Sequence, residues 1–433
     1  MRVYKPIILY LPDHLVKELH SYLSNNKPNF KVEITYFYYV IHYLTVKQIQ
    51  HKNREYFSLN SEVFKNVTIS NITRYIKILK NGEFIESDNS YEPGVKSLGY
   101  KINPIFLKGI HSLELTQDSK LSKNMIKQCY RRKSHVNRLE PYLRAMYDEF
   151  LNMDMDYQNA IKWTENNVND DQKLSLLTSI YNIQDSRFRY FKRNKTNGRL
   201  DTNLTNLKSD LRQFIIGDYV SIDLKNSQPF LLSILINNII DNRDTLCCYL
   251  SNDNLIKAFG IKRIKQVLLI HQKQEKAKMV KLRLFYDSVR RGSLYDDFIE
   301  CYGNEISRDD VKKIMFKVLF SRNEYHKGYN KIIPYENDKK KFLRVYPFVA
   351  EVIKELKRKD HKTLPIYLQR LESYLFIDCI AKKLVENGIV PFTIHDSVIV
   401  KTKDQTKAIE IMNSVFKNEI GVIPRYDIKK LKQ

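Results

Sequence analysis

The chain has 433 residues, 43% of them hydrophobic, enough for two or three domains around a sizeable core and too apolar for a disordered polypeptide. Its 73 basic side chains outnumber 49 acidic ones, a formal net charge of +24, and an excess that large points to a polyanionic partner, most simply nucleic acid. Five cysteines without a CxxC pair argue against a zinc site or a disulfide framework, and the lack of a signal peptide or of an apolar run of about 18 residues predicts a soluble, cytoplasmic protein with no membrane partner.

Residues 1–110 read as a separate small domain. Ser70 is placed to cap a helix running to about Lys80. Ile72, Tyr75, Ile76 and Leu79 fall at helical spacing and form its core face, with Asn71, Arg74, Lys77 and Lys80 opposite. Asn81-Gly82 ends it as a left-handed cap. Strands at Phe84-Ile85 and near Tyr100–Ile102 follow, separated by turns at Asp88-Asn89-Ser90 and Pro93-Gly94. A helix followed by two strands resembles a winged helix, whose basic face serves either a DNA site or a protein partner.

Residues 111–195 read as basic and mostly helical. Tyr130-Arg131-Arg132-Lys133 and Arg187–Arg193 alternate cations with aromatics, as a surface tracking a nucleic-acid backbone requires. Trp163, the only tryptophan, is expected in the core. Thr196–Leu207 reads as a turn and an extended polar stretch that could set Arg199 in a minor groove.

Two acidic stretches carry the chemistry. Val220–Leu224 is a strand ending in Asp223. Ile394–Val400 reads as a hairpin with His395-Asp396 at its bend, flanked by the buried runs of Phe392, Ile394, Val398 and Val400. Asp223 and Asp396 are expected side by side on neighbouring strands, holding divalent metal. Between them Arg308, Lys312, Phe316 and Phe320 recur every four residues, so each step turns only about 40° around a helix. The resulting stripe carries two cations for a triphosphate and two rings for a base or sugar.

These segments, in this order, resemble the family A polymerases, DNA polymerase I and its relatives, with the single-subunit phage-type RNA polymerases as cousins. Asp223 matches the motif A aspartate, Arg308-xxx-Lys312-xxx-Phe316-xxx-Phe320-Ser321 follows motif B, and His395-Asp396 matches motif C. Gly198-Arg199-Leu200 with Asn206-Leu207 looks like the segment upstream of motif A, whose arginine contacts primer. Phe342–Pro347 looks like the stretch after motif B. Gln369, opening an amphipathic helix with Leu371, Leu375, Cys379 and Leu384, looks like the template- and primer-contacting glutamine. The resemblance covers roughly residues 196–433.

The resemblance implies an α+β, right-hand polymerase. A small antiparallel palm sheet comes from about 216–255 and 345–433, helical fingers from about 256–344, a thumb from 111–195, and the winged-helix-like domain precedes them. It implies a template-directed DNA polymerase without proofreading, of the compact kind a mobile element would carry, with primer-template DNA and nucleoside triphosphates as partners and two Mg2+ ions as cofactor, Mn2+ being an acceptable substitute. Asp223, Asp396 and the Leu224 carbonyl are the implied metal ligands. In such a site the ions stand about 3.5–4 Å apart, which suits carboxylates on adjacent strands about 4.8 Å apart. Arg308 and Lys312 would offset phosphate charge, with Lys312 also protonating the leaving group. Phe316 and Phe320 would position the nucleotide, and His395 would touch the primer end.

Several positions depart from the family. Phe320 and Ser321 stand where it has Tyr and Gly. Gln228 stands where its DNA polymerases have a glutamate gate against the 2′-hydroxyl and its RNA polymerases have Gly. It is bulky enough to act as a gate, which favours dNTP, though another register moves the gate to Phe230. Ser397 follows Asp396 as in the RNA polymerases. An RNA polymerase or primase-like enzyme using NTPs is therefore the alternative, and an inactive nucleic-acid-binding regulatory protein is the alternative from another class.

Overall fold

The computed structural model describes residues 6–51, 54–59, 64, 67, 72–92, 97–116, 119–133, 136–241, 247–273, 275–303, 305–327 and 329–431. Helices and short antiparallel sheets are mixed along the chain. No helix among the described residues is long and apolar enough to cross a membrane.

The N-terminal part is built on β1 (Ile7–Leu11), β2 (Phe57–Ser58), β3 (Ile85–Ser87), β4 (Gly99–Ile102) and β5 (His111–Leu115). β2, β4 and β3 form one sheet, and β5 pairs antiparallel with β1 from Ile7↔Leu115 to Leu11↔His111. The sheet of this unit thus runs past residue 110, and Leu121 on the Lys120–Lys133 helix joins the same core. The Ile72–Asn81 helix buries Ile72, Tyr75, Ile76 and Leu79, the four residues its spacing selects. The cap at Ser70 and the turn at Pro93-Gly94 lie outside the described residues.

The end of this helix differs from expectation. The left-handed residue is Glu83 (φ 56), not Gly82. Phe84 N donates to Leu79 O and Glu83 N to Lys80 O, the paired bonds of a Schellman cap. Gly82 is needed for a different reason: a Cβ there would lie 2.4 Å from the Phe84 ring.

Residues 141–219 add the helices Pro141–Asn152, Tyr157–Asn167 and Asp170–Gln184, then the hairpin β6 (Phe191–Arg193) and β7 (Leu200–Thr202). The three arginines of the Arg187–Arg193 cluster are engaged within the protein, while Lys192 is exposed. Arg189 is buried, and its guanidinium donates to the carbonyls of Ile183, Phe150 and Leu151, closing helix ends that lack partners of their own. Arg187 pairs with the buried Asp185 at 2.6 Å, and Arg193 forks onto Asp378. The side chains of Arg131, Arg132 and Lys133 lie outside the described residues. Trp163 is half-buried rather than core, with Lys208 over its ring at 5.3 Å.

The remainder surrounds one sheet. Its strands are β8 (Tyr219–Leu224), β11 (Phe392–Ile394), β12 (Ser397–Lys401) and β13 (Tyr426–Lys430), in the order β11-β12-β8-β13; a separate hairpin, β9 (Tyr325–Lys327) with β10 (Asn330–Ile332), lies between β8 and β11 in the chain. All four strands of the sheet pair antiparallel. Alternation divides its faces. Val220, Ile222 and Leu224 of β8 and Val398 and Val400 of β12 share one face, buried with Phe230, Met412 and Phe416 of the helices Ser227–Asp241 and Gln405–Ile420. Each such aliphatic side chain contributes about 1.5–3 kcal/mol. Ser221 and Asp223 necessarily point to the other face, and register keeps them there.

Candidate active site

The expected hairpin is present. β11 and β12 pair from Phe392↔Ile399 to Ile394↔Ser397, leaving His395 and Asp396 as the two-residue turn. His395 takes a left-handed conformation (φ 55), which histidine tolerates better than most residues. The turn abuts the end of β8: Leu224 N donates to Asp396 O at 3.0 Å, and Ser397 lies directly across from Asp223. Two sequence positions 173 residues apart (396 − 223) are thereby brought to one end of one sheet. Ser221 Oγ lies 2.8 Å from both Asp223 Oδ1 and Ser397 Oγ, so its hydroxyl steadies the aspartate.

The electrostatics of this end of the sheet are unusual. Burial, then Glu372 and Asp223, push the Asp396 carboxyl up to about 7, against a backbone N–H and Arg199, which lower it. Glu372 is only 1% exposed. It accepts from Arg199 Nη2 at 2.6 Å, Arg199 Nε at 3.0 Å, Ser227 Oγ at 3.0 Å and Gln228 Nε2 at 2.5 Å. One buried acid thus ties the turn before β7 to the start of the helix after Asp223. His395 is pushed down to about 4 by burial and by Arg199 and Arg212, so its imidazole is neutral at pH 7. Arg212 feels Asp223 as well, although burial is the larger influence and lowers its pKa.

The other expected residues differ in their partners and burial. Arg199 is a partner of Glu372 rather than a projecting side chain. Gln369 accepts from Asn197 at 3.3 Å, and its helix begins earlier than expected, at Thr363, continuing through a wide π-helical stretch, Tyr374–Ala381, to Glu386. Gln228 faces Glu372, with its Oε1 buried and without a hydrogen-bond partner. Phe230 is fully buried beside Phe416, so a gate at Phe230 is excluded. Leu224, the expected carbonyl ligand, is the last residue of β8.

The stripe lies on the Arg308–Phe320 helix, which Ser307 and Asp310 open as a reciprocal capping box. Val311, Ile314, Met315, Val318 and Leu319 are buried, so the stripe faces outward. Phe316 and Phe320 stack with centroids 4.6 Å apart and planes at 22°, and Phe316 is 63% exposed. Arg308 bridges to Asp296 at 2.8 Å and lies over the Tyr295 ring, and Lys312 reaches Asp309 at 3.3 Å. Burial raises the pKa of the Tyr295 hydroxyl, with Arg308 lowering it and Asp396 raising it as smaller influences.

Sequence reasoning missed Glu372, Arg212, Tyr295 and Asp427. Glu372 did leave a signal, an acid four residues after Leu368 on the apolar face of its helix. Asp427 left none: it lies across from Asp223 on β13 and is visible only through strand pairing.

A divalent cation fits this donor set in one respect. Among the described residues no three His, Cys, Asp or Glu side chains form a ready-made cage. Asp223 and Asp396 alone suit an oxygen-preferring ion such as Mg2+, which keeps several waters and takes one or two carboxylates plus substrate phosphates. After burial, Glu372 and Asp223 raise the pKa of Asp396, and such an ion would offset their negative charge.

No family model matches the chain, and no curated protein matches it. Among solved structures, the POL domain of Pol1 from M. smegmatis, in complex with DNA primer-template and dNTP, aligns over 71% of this chain and 65% of that one, less than two thirds of its length. The identity is 12% and the TM-score 0.27, a likeness too small to bear on the site, which stands on its own geometry.

Proposed function

We propose that the chain is a template-directed nucleotidyltransferase, a family A-type DNA polymerase without proofreading. It would join a dNTP to a primer 3′-hydroxyl in a right-hand fold whose palm is the β11-β12-β8-β13 sheet. The observation that carries this reading is the meeting of Asp223 and Asp396 at adjacent strand ends. In it Asp223 and Asp396, with the Leu224 carbonyl, would hold Mg2+. The bound ions would supply Lewis-acid activation of the 3′-hydroxyl and charge neutralisation at the triphosphate. Arg308 and Lys312 exchange Asp296 and Asp309 for the phosphates, a cheap exchange because both pairs are exposed. The exposed Phe316 ring stacks on the nucleotide, and neutral His395 lies at the primer end. Gln228, held by Glu372, is the residue that would sense the sugar. The winged-helix-like N-terminal unit would bring a DNA site or a protein partner.

The reading is tested by extension of a labelled primer on a DNA template with Mg2+, offering dNTPs or NTPs in parallel. Asp396→Ala is expected to lower incorporation by at least about a thousandfold. Full synthesis by that variant would sink the site assignment, and incorporation of NTPs alone would move the protein to the RNA polymerase side. Because a carboxylate must lose its proton to bind metal, Mg2+ should raise the melting temperature more at pH 8 than at pH 6, the Asp396 carboxyl titrating near 7.

A further inference from the structure

The Ile34–Gln50 helix carries Tyr39, Tyr43 and Lys47 at steps of four residues, and His51 follows at the next step. Each step turns only about 40°, so the four form one slanted stripe: two rings, a cation and an imidazole. The stripe borders a cavity of about 870 Å3, which Asp223, Asp396 and Glu372 do not line. A second wall is the Asp170–Gln184 helix, whose Gln172, Ser175, Ser179 and Asn182 fall at helical spacing on the cavity side. Strand β1 and the Lys120–Lys133 helix complete the lining through Ile7, Leu9, Met125 and Gln128. The cavity thus lies where the N-terminal unit meets the helices that follow it.

Its lining selects a class of ligand. A helix packed into a core presents aliphatic side chains on its inner face. The Asp170–Gln184 helix does so with Leu174, Leu177 and Ile180, yet its cavity side is polar and uncharged. Amides and hydroxyls turned inward need water or a ligand to bond. His42 donates from Nδ1 to Tyr10 O at 2.9 Å, because a carbonyl can only accept, and this leaves Nε2 as an acceptor. Burial lowers the pKa of His42, so the ring is neutral at pH 7. Among the described residues that line the cavity, the charged side chains are Lys47 and Lys208, and none is acidic. Burial, then Lys47 and Arg54, lower the pKa of His51, so positive charge collects at this end of the stripe.

We propose that this cavity binds a nucleoside monophosphate, its base among Tyr39, Tyr43 and His42 and its phosphate at Lys47. Rings, a neutral acceptor, and amides that both donate and accept suit a nucleobase. A lysine with no carboxylate beside it in the lining suits a phosphate. The volume lies within the range of about 300–1,000 Å3 usual for small-molecule sites, which favour joints between structural units. An occupant would bridge both sides of the joint and so stabilise the folded chain. The proposal is independent of the polymerase reading, since neither aspartate of that site borders the cavity.

The test is isothermal titration calorimetry on the full chain without Mg2+, using AMP, GMP, CMP and UMP, with inorganic phosphate and a tetranucleotide as comparisons. At least one monophosphate should bind saturably at one per chain and raise the melting temperature, with inorganic phosphate at least about tenfold weaker. Ser179→Phe, which puts a ring into the cavity, should abolish that binding. Lys47→Gln should weaken it about tenfold, and it carries the test should Ser179→Phe not fold. Asp396→Ala should bind the monophosphate as the wild type does. Four outcomes would overturn the proposal: no saturable binding of any monophosphate, equal binding of inorganic phosphate, tighter binding of the tetranucleotide, or wild-type affinity in Lys47→Gln. Loss of binding in Asp396→Ala would overturn it too, by moving the ligand to the carboxylate site.

Discussion

Glu372 illustrates how one buried atom pair can organise a site. Its carboxylate has lost its water and recovers the cost through two N–H groups of Arg199, one hydroxyl and one amide. Glu372→Ala would leave the largely buried Arg199 without a counter-charge, and stability should fall by about 3–5 kcal/mol, measured by urea unfolding. An unchanged midpoint would mean that Arg199 finds water instead. Lys357 is the opposite case, a buried amine that donates to Val318 O at 2.7 Å. Burial lowers its pKa from 10.5 to about 7. Between those values the unfolded chain holds a proton that the folded chain has released, so this residue's contribution to stability rises with pH across that window and is least favourable below 7. The stability of the wild type relative to Lys357→Met should therefore increase from pH 7 towards pH 10, by at most a few kcal/mol. A pH-independent difference in denaturation midpoints would show that Lys357 stays protonated.

Among the elements, the turn from β6 to β7 and the Thr363–Ser373 helix fit each other through a glycine. Gly198 adopts φ +76, and a Cβ there would lie 3.2 Å from Ser373 Cβ. Around it Ser373 Oγ donates to Asn197 O at 3.0 Å and Arg370 Nε to Thr196 O at 2.7 Å. Gly198→Ala combines backbone strain with crowding and should cost about 1–3 kcal/mol. Because Arg199 follows directly, the same variant should displace it from Glu372 and weaken primer extension more than a stability loss of that size explains. Extension at the wild-type level at a temperature where the variant is folded would separate the turn from the site. The Ile72–Asn81 helix shows a limit of local reading. Its buried face follows from periodicity, but the residue in the left-handed position does not, because Phe84 must pack over Gly82 and this moves the cap to Glu83.

The whole molecule carries +24 charges, and where they go matters more than their number. Arg187, Arg189 and Arg193, which look from the sequence like a nucleic-acid surface, are spent on helix carbonyls and on Asp185 and Asp378. The excess that remains exposed should still govern association with DNA. Affinity for a duplex is expected to fall at least tenfold between about 50 and 200 mM salt, through counterion release. A flat salt dependence in a binding titration would remove nucleic acid as the partner.

The sequence by itself determined the mixed helical and sheet character, the β11–β12 hairpin with Asp396 at its turn, the strand that carries Asp223 near its end, and the outward stripe from Arg308 to Phe320. These are legible because period and turn chemistry are local properties, written within a dozen residues. Only the tertiary structure decided that Glu372 and Arg199 pair, that Phe230 belongs to the core while Gln228 faces a buried acid, and that Asp427 lies across from Asp223. Those facts depend on contacts between segments up to about two hundred residues apart. For a charged side chain the sequence states that it must find a partner or water, and the fold alone chooses which.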